Sequence, residues 1–381
     1  MLRRCADWLA HGCLALAWVV LLAWAVGLLV NDRYVWSQFL WWIPTPVAGA
    51  AAVVMLVCGW VLGIAARVPR HPGDRPPVPR GWVRCMRGTW CAVGVVAVVF
   101  MVVEARWQRL LVPAAAPAQR PLRMVTWNIN STRIEDLPGK VRPLLPDVLL
   151  IANRPYFGSF SDLRAAVGEG TSVAAGGRLA VISKYPVISY ALVPLGVQGA
   201  EARTFRWQGG GMVSIDRGEA ILVLLDTKEW NGSTLCVWLL DLPSDPPIGR
   251  ARMMREARAA IEGFEGPAYK PRERAADEAV VADDALRAQL LDPDVITGDF
   301  NTPRRSWSVE HVLAPGMRAA PDVAGSGWRM TFPAGAPVIA IDNTVVSARV
   351  RCYHYGVHEL SARGRDHLAQ LTVLEGGTVN R

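Results

Sequence analysis

Cysteine is scarce in the part of this chain where it would carry information. Five of the 7 (Cys5, Cys13, Cys58, Cys85 and Cys91) lie in the first hundred residues, leaving Cys236 and Cys352 for the rest. No Cys-x-x-Cys pair and no Cys/His cluster occurs, which excludes a structural zinc site of the finger or ribbon kind. Both remaining thiols fall in strand-like runs. They are expected buried and free, a bridge between them being open only in an oxidising compartment. No internal repeat is visible.

Excess charge is also missing from most of the chain. The formal net charge is +8, but 9 Arg face 4 acids up to Glu104, whereas 32 Lys and Arg face 29 Asp and Glu from Ala105 onward. The longer, later part therefore sets up no strong field for a long polyanion. The basic excess belongs to the front.

Three stretches at the front carry no charge at all, 12–30, 34–66 and 88–103. Apolar runs of about 20 residues are long enough to cross a bilayer. Pro44 and Pro46 put the start of the second spanning helix near Val47, so the expected spans are 12–30, 47–66 and 88–104. Arg3 and Arg4 would also suit a signal peptide, but the apolar core is long and further runs follow, which favours an anchor. The loop between the second and third runs carries Arg67, Arg70, Arg75, Arg80, Arg84 and Arg87, whereas the loop between the first two has Arg33 balanced by Asp32. The positive-inside rule then makes the amino terminus and the arginine loop cytoplasmic. Residues 1–105 are read as a transmembrane region of the plasma or inner membrane, with the soluble domain extracytoplasmic. Were the third run not to span, that domain would be cytoplasmic.

Residues 106–121 contain Pro-Ala-Ala-Ala-Pro-Ala and read as a short linker, followed by a domain over 122–381. Strand-like runs fall at 122–127, 147–151, 178–183, 211–215, 220–226, 234–241, 294–297, 338–346 and 369–374. Helical patterning falls at 134–144, 249–263, 277–291 and 306–313, and 263–277 reads as an exposed loop. Mixed strands with interspersed helices suit two packed sheets covered by helices.

Chemistry gathers around the run Asp294-Val295-Ile296-Thr297-Gly298-Asp299-Phe300-Asn301. On an extended backbone Asp299 and Asn301 point to one side, so a carboxylate that can take a proton and an amide that can bind an oxyanion converge. Four further blocks accompany it. Arg123-Met124-Val125-Thr126-Trp127-Asn128 is a strand ending in Asn, and Gly177-Arg178-Leu179-Ala180-Val181-Ile182-Ser183 is a strand before Pro186. Ile341-Asp342-Asn343-Thr344 and Gly364-Arg365-Asp366-His367 close the set.

In this order the blocks resemble the endonuclease/exonuclease/phosphatase superfamily, over roughly residues 121–375. The resemblance implies an α/β, four-layer α/β/β/α sandwich with two mixed sheets, here behind about three transmembrane helices. It implies Asp299 as the group that orients or deprotonates water, Asn301 on the phosphate, and His367 on the scissile group with Asp342 holding its tautomer. It places Asn128, Asn153 and Asp366 around Mg²⁺ or Mn²⁺, and Thr331 in a positioning segment. Two departures stand out. The family's second strand ends in a metal-binding glutamate where this chain has Asn153, and a family histidine is replaced by Asp241. Asp241 either restores the lost carboxylate or marks an eroded centre. The reading is a membrane-anchored, divalent-metal-dependent phosphoesterase acting on nucleic acid or a lipid head group, with no protein partner expected. The alternative is a catalytically weakened member that binds a ligand or partner.

Overall fold

The computed structural model of the chain describes residues 2–67, 80–111, 120–131, 134–155, 160–200, 202–207, 210–271, 278–280, 283–360 and 367–376. The chain divides into two compact units, Met1–Gln108 and Arg109–Arg381.

The first unit is helical: α1 (Leu2–Val30), α2 (Val35–Trp41), α3 (Thr45–Arg67) and α4 (Arg80–Val98), the last continued by a π-helical stretch, Val99–Glu104. Three segments, Arg4–Val30, Thr45–Arg67 and Gly81–Glu104, are long and apolar enough to cross a membrane, with mean hydropathies of 2.6, 2.4 and 2.0. The third is longer than its uncharged run, because the helix starts back among the arginines at Arg80. The second starts at Thr45, earlier than expected, since Pro46 fits the first turn where its missing N–H has no partner to lose. Leu21, Trp24, Ala48, Ala52 and Val96 pack inside this bundle, while Trp8, Leu29 and Val98 stay exposed. An apolar exterior is what a lipid-facing helix requires.

In the second unit the strands are β1 (Leu122–Asn128), β2 (Val148–Ala152), β3 (Ser172–Gly176), β4 (Leu179–Ser183), β5 (Val187–Pro194), β6 (Ala202–Trp207), β7 (Gly210–Ile215) and β8 (Glu219–Asp226). They continue as β9 (Thr234–Asp241), β10 (Ala268–Lys270), β11 (Glu278–Val280), β12 (Val295–Asp299), β13 (Arg318–Ala319), β14 (Asp342–Val346), β15 (Val350–His358) and β16 (Ala369–Gly376). One sheet runs β15-β16-β1-β2-β4-β3 and the other β11-β10-β5-β8-β9-β12-β14-β13, with β6–β7 a separate hairpin. Both sheets are mixed, since β1–β2 and β9–β12 are parallel and the other pairs antiparallel.

Alternate residues of the central strands feed different cores, as the two-residue period of a strand demands. Met124, Val148, Leu150 and Val181 meet Ile221, Val223, Val237, Leu239 and Val295 between the sheets. Val125, Trp127, Leu149 and Ile151 point outward against α5 (Leu137–Val141) and α6 (Phe160–Val167). On the far side, Leu222, Trp238, Leu240 and Ile296 pack on Met253, Met254, Ala257 and Ile261 of the helix Arg250–Glu262. The order is helices, sheet, sheet, helix, the expected sandwich. Strands buried on both faces read as continuous apolar runs, which is why β2 and β12 are legible in sequence.

Some expectations change. Within 277–291 the helix is Asp284–Leu290, and Glu278–Val280 is a strand paired with Ala268–Lys270. That pairing also gives the expected loop 263–277 a strand with a buried Ala268, residues 272–277 lying outside the described set. Cys236 and Cys352 are free and buried, in different cores.

One glycine is fixed by a close approach. Gly298 has φ +133°, and a Cβ there would strike the Leu240 backbone on the neighbouring strand. Gly298→Ala is expected to cost about 2–4 kcal/mol of stability. A urea midpoint equal to that of the parent protein would show that β9 and β12 have room to spare.

Candidate active site

The face of the sandwich that carries Val295 and Leu239 in its middle turns polar toward one end. Thr297 donates to Thr126 across the sheets at 3.0 Å and lies 2.7 Å from Thr344 on the adjacent strand. Thr344 and Tyr355 both donate to Gln370 Oε1 at 3.0 Å. This buried hydroxyl layer pins the two sheets in one register, with each member partnered. Two residues further along each strand, on the same face, come the ionisable groups.

Register puts them abreast. Asp299 pairs with Asp241 across the parallel β9–β12 ladder and with Asp342 across the antiparallel β12–β14 ladder. All three carboxylates are buried, at 2%, 2% and 4% exposure. From the facing sheet Asn128 donates to Asp299 Oδ2 at 2.7 Å, while its own Oδ1 accepts from the Asn130 amide at 2.8 Å. Asp299 Oδ1 accepts from the Asn301 backbone at 2.8 Å. His367 Nδ1 lies 2.8 and 3.0 Å from the two oxygens of Asp342, and its Nε2 faces Asp299 Oδ2 at 3.8 Å.

His367 is held from several sides. Trp127 Nε1 donates to its carbonyl at 2.9 Å, and the Phe332 ring packs on the imidazole with centroids 4.9 Å apart. Thr331 accepts at Oγ1 from the Asp342 amide at 3.3 Å and at its carbonyl from the Leu368 amide at 2.8 Å. It thus ties the Asp342 strand to the segment carrying His367, a positioning task.

The other expected residues stand differently. Asn301 has φ +46° and donates through Nδ2 to the Leu242 carbonyl at 2.6 Å, so its amide braces the turn beside β9. Asn153 accepts at Oδ1 from Arg178 Nη1 at 2.8 Å. The same guanidinium lies 2.9 Å from Asp216 and 3.4 Å from both Glu219 and Asp241. Asp366 falls outside the described residues. Sequence reasoning assigned no role to Arg178, because a lone arginine between a glycine and an apolar strand looks like a solvated strand end.

The electrostatics follow from burial and neighbours. Burial raises the Asp299 carboxyl to about 7, against the pull of the His367 charge and of the hydrogen bonds from Asn301 and Asn128. Burial works against the His367 imidazolium, but Asp342 and Asp299 outweigh it and lift its pKa to about 9. Asp241 is pushed well above the usual carboxylate range by burial and then by Asp299, with Arg178 offsetting only part.

The sequence model of the Endonuclease/Exonuclease/phosphatase family matches residues 125–363, well over half the chain. The chain belongs to the endonuclease/exonuclease/phosphatase family. Among solved structures it is similar to the endonuclease/exonuclease/phosphatase from Bacteroides vulgatus, at 18% identity and TM-score 0.45 over 68% of this chain and 100% of that one. It is also similar to the protein of that description from Beutenbergia cavernae, at 17% identity and TM-score 0.42 over 68% and 72%. ANGEL2, described as a 2′,3′-cyclic phosphatase, matches at 11% identity and TM-score 0.43 over 67% and 95%. No curated protein matches the sequence.

Family resemblance brought an expectation of Mg²⁺ or Mn²⁺, and the donors can be tested against it. Asp299, Asp342 and His367 present ligand atoms within 4.8 Å of one another. His367 Nδ1 is taken by Asp342 at 2.8 Å, which leaves Nε2 as its nitrogen facing Asp299. At Asn153 the side-chain oxygen already accepts from the Arg178 guanidinium, which also stands against Asp216, Glu219 and Asp241. Hard divalent ions are held mainly by carboxylates and repelled by fixed cations. The residue set at Asn153 does not fit one.

The His367 pair carries a signed pH dependence. Its folded pKa is raised from 6.5 to about 9, so its stabilising contribution is complete below pH 6.5 and fades as pH rises through about 9. In Asp342→Asn the imidazole pKa, followed by NMR, is expected to fall toward or below about 6.5. A value staying near that of the parent would mean that Asp342 does not hold the charge.

Proposed function

We propose that the second unit hydrolyses phosphate esters and that the first unit anchors it in a membrane. The observation that supports this reading best is the buried trio Asp299, His367 and Asp342, with Asn128 reaching across from the other sheet. Asp299 is the general base. A carboxyl whose pKa lies near the working pH is basic enough to take a proton from water and still ionised enough to be available. The His367 imidazolium, locked by Asp342, offers charge to the phosphoryl oxygens as negative charge builds on them. Asp241, beside Asp299 on the neighbouring strand, faces Arg178 at 3.4 Å. Asn301 braces the turn. The modest charge of this part of the chain and the membrane anchor together favour a lipid head group over a long nucleic acid.

Asn153 in place of the family's glutamate favours a second reading, a domain that binds a phosphorylated ligand without turnover. One assay separates the two. The full-length protein in detergent is expected to cleave a generic aryl phosphodiester, and Asp299→Asn to lower kcat by about 100-fold or more. No cleavage by the parent protein, with or without added divalent ion, would move the assignment to ligand binding. Topology has its own measurement. A reporter fused after Leu110 is expected to behave as exported, and cytoplasmic behaviour would overturn three crossings.

A further inference from the structure

Arg178 is placed by the turn between β3 and β4, where Gly177 takes φ +52° against the Glu219 carboxylate. Its backbone amide donates to Glu219 Oε1 at 2.8 Å, which fixes the residue before its side chain is considered. The side chain then enters the gap between the sheets, only 19% exposed. Nη1 takes Asn153 from the end of β2, and Nη2 takes Asp216 and approaches Asp241 at the end of β9, while Nε approaches Glu219. A planar fork with five donors suits acceptors arriving from several directions, as an ammonium does not. Asp241 Oδ2 has no hydrogen-bond partner and is fully buried, so this guanidinium is the compensating charge within 3.4 Å of it.

These are the oxygens a divalent ion would need at this end of the site. A guanidinium and a Mg²⁺ ion cannot share them, because each fills the same acceptors and the two repel. We propose that Arg178 is the resident cation of this site, standing beside Asn153 where the family places a divalent ion. The site is then assembled around a guanidinium that faces Asp216, Glu219 and Asp241 together. The inference concerns the same pocket as the phosphoesterase reading but does not depend on turnover, so each can fail alone.

The test is metal binding by the full-length chain in detergent, read from the electron paramagnetic resonance signal of free Mn²⁺ and from the melting temperature. The parent protein is expected to take up no stoichiometric Mn²⁺ up to about 1 mM and to melt at the same temperature in Mg²⁺ as in chelator. Arg178→Ala empties the acceptors and is expected to gain one Mn²⁺ site at least about tenfold tighter than anything in the parent. Adding Asp241→Asn to it removes most of that gain, and Arg178→Lys stays as indifferent to Mn²⁺ as the parent. One equivalent of Mn²⁺ bound at micromolar concentration by the parent overturns the proposal, even if Arg178→Ala fails to fold. So does a folded Arg178→Ala protein that ignores Mn²⁺.

Discussion

Three carboxylates side by side on neighbouring strands are the constraint to which the rest of this site answers. Strands in a sheet lie roughly 4.8 Å apart, and two like charges about 4 Å apart repel by about 4 kcal/mol at an effective dielectric of 20. Asp241, Asp299 and Asp342 cannot all be ionised and buried without help. The protein supplies that help from both sides. His367 stands between Asp299 and Asp342, Arg178 stands against Asp241, and Asn128 and the Asn301 amide hydrogen-bond to Asp299. Burial and Asp299 push the Asp241 carboxyl well above the usual carboxylate range, and Arg178 offsets part of that.

Geometry behind the row makes this possible. The threonines one step inward, Thr126, Thr297 and Thr344, belong to the same three strands that carry Asn128, Asp299 and Asp342. Their hydroxyls bond to each other and to Gln370, so a slip of one strand would break buried hydrogen bonds as well as move a carboxylate. Beneath them lies the dry inter-sheet core. Strength at the bottom, register in the middle and charge at the rim are three layers of one stack of side chains.

How much of this the sequence disclosed depends on the kind of signal. Strands buried on both faces, such as Val148–Ala152 and Val295–Asp299, stand out as apolar runs. Ser172–Gly176 does not, since Ala and Gly have little strand preference and pairing with β4 decides its state. Val350–His358 lies at a sheet edge with Arg351, His354 and His358 among its apolar residues, so its alternation is diluted. Asp299, Asp342, Asn128 and His367 could be picked out because the blocks that carry them stand in the order of the family they resemble, each block alone reading as ordinary turn or strand-end chemistry. Arg178 could not. Its importance comes from four partners distant in sequence, and no local pattern encodes that.

The two departures from the family pattern look independent in sequence, and the structure makes them one. With a glutamate at position 153, Arg178 would face that carboxylate together with Asp216, Glu219 and Asp241, an uneven four against one in a partly buried space. An asparagine there gives the guanidinium an acceptor without a further charge. Conversely, a histidine at position 241 would set an imidazole 3.4 Å-scale contact from the guanidinium, two cationic or potentially cationic groups in place of an ion pair. Asn153, Arg178 and Asp241 are mutually consistent, and exchanging one alone strains the other two. Substitutions at such sites are not additive, because each changes the charge that the others were selected to meet. Asn153 and Arg178 from one sheet and Asp241 from the other meet in the contacts of a single guanidinium, so they act as one unit of this pocket.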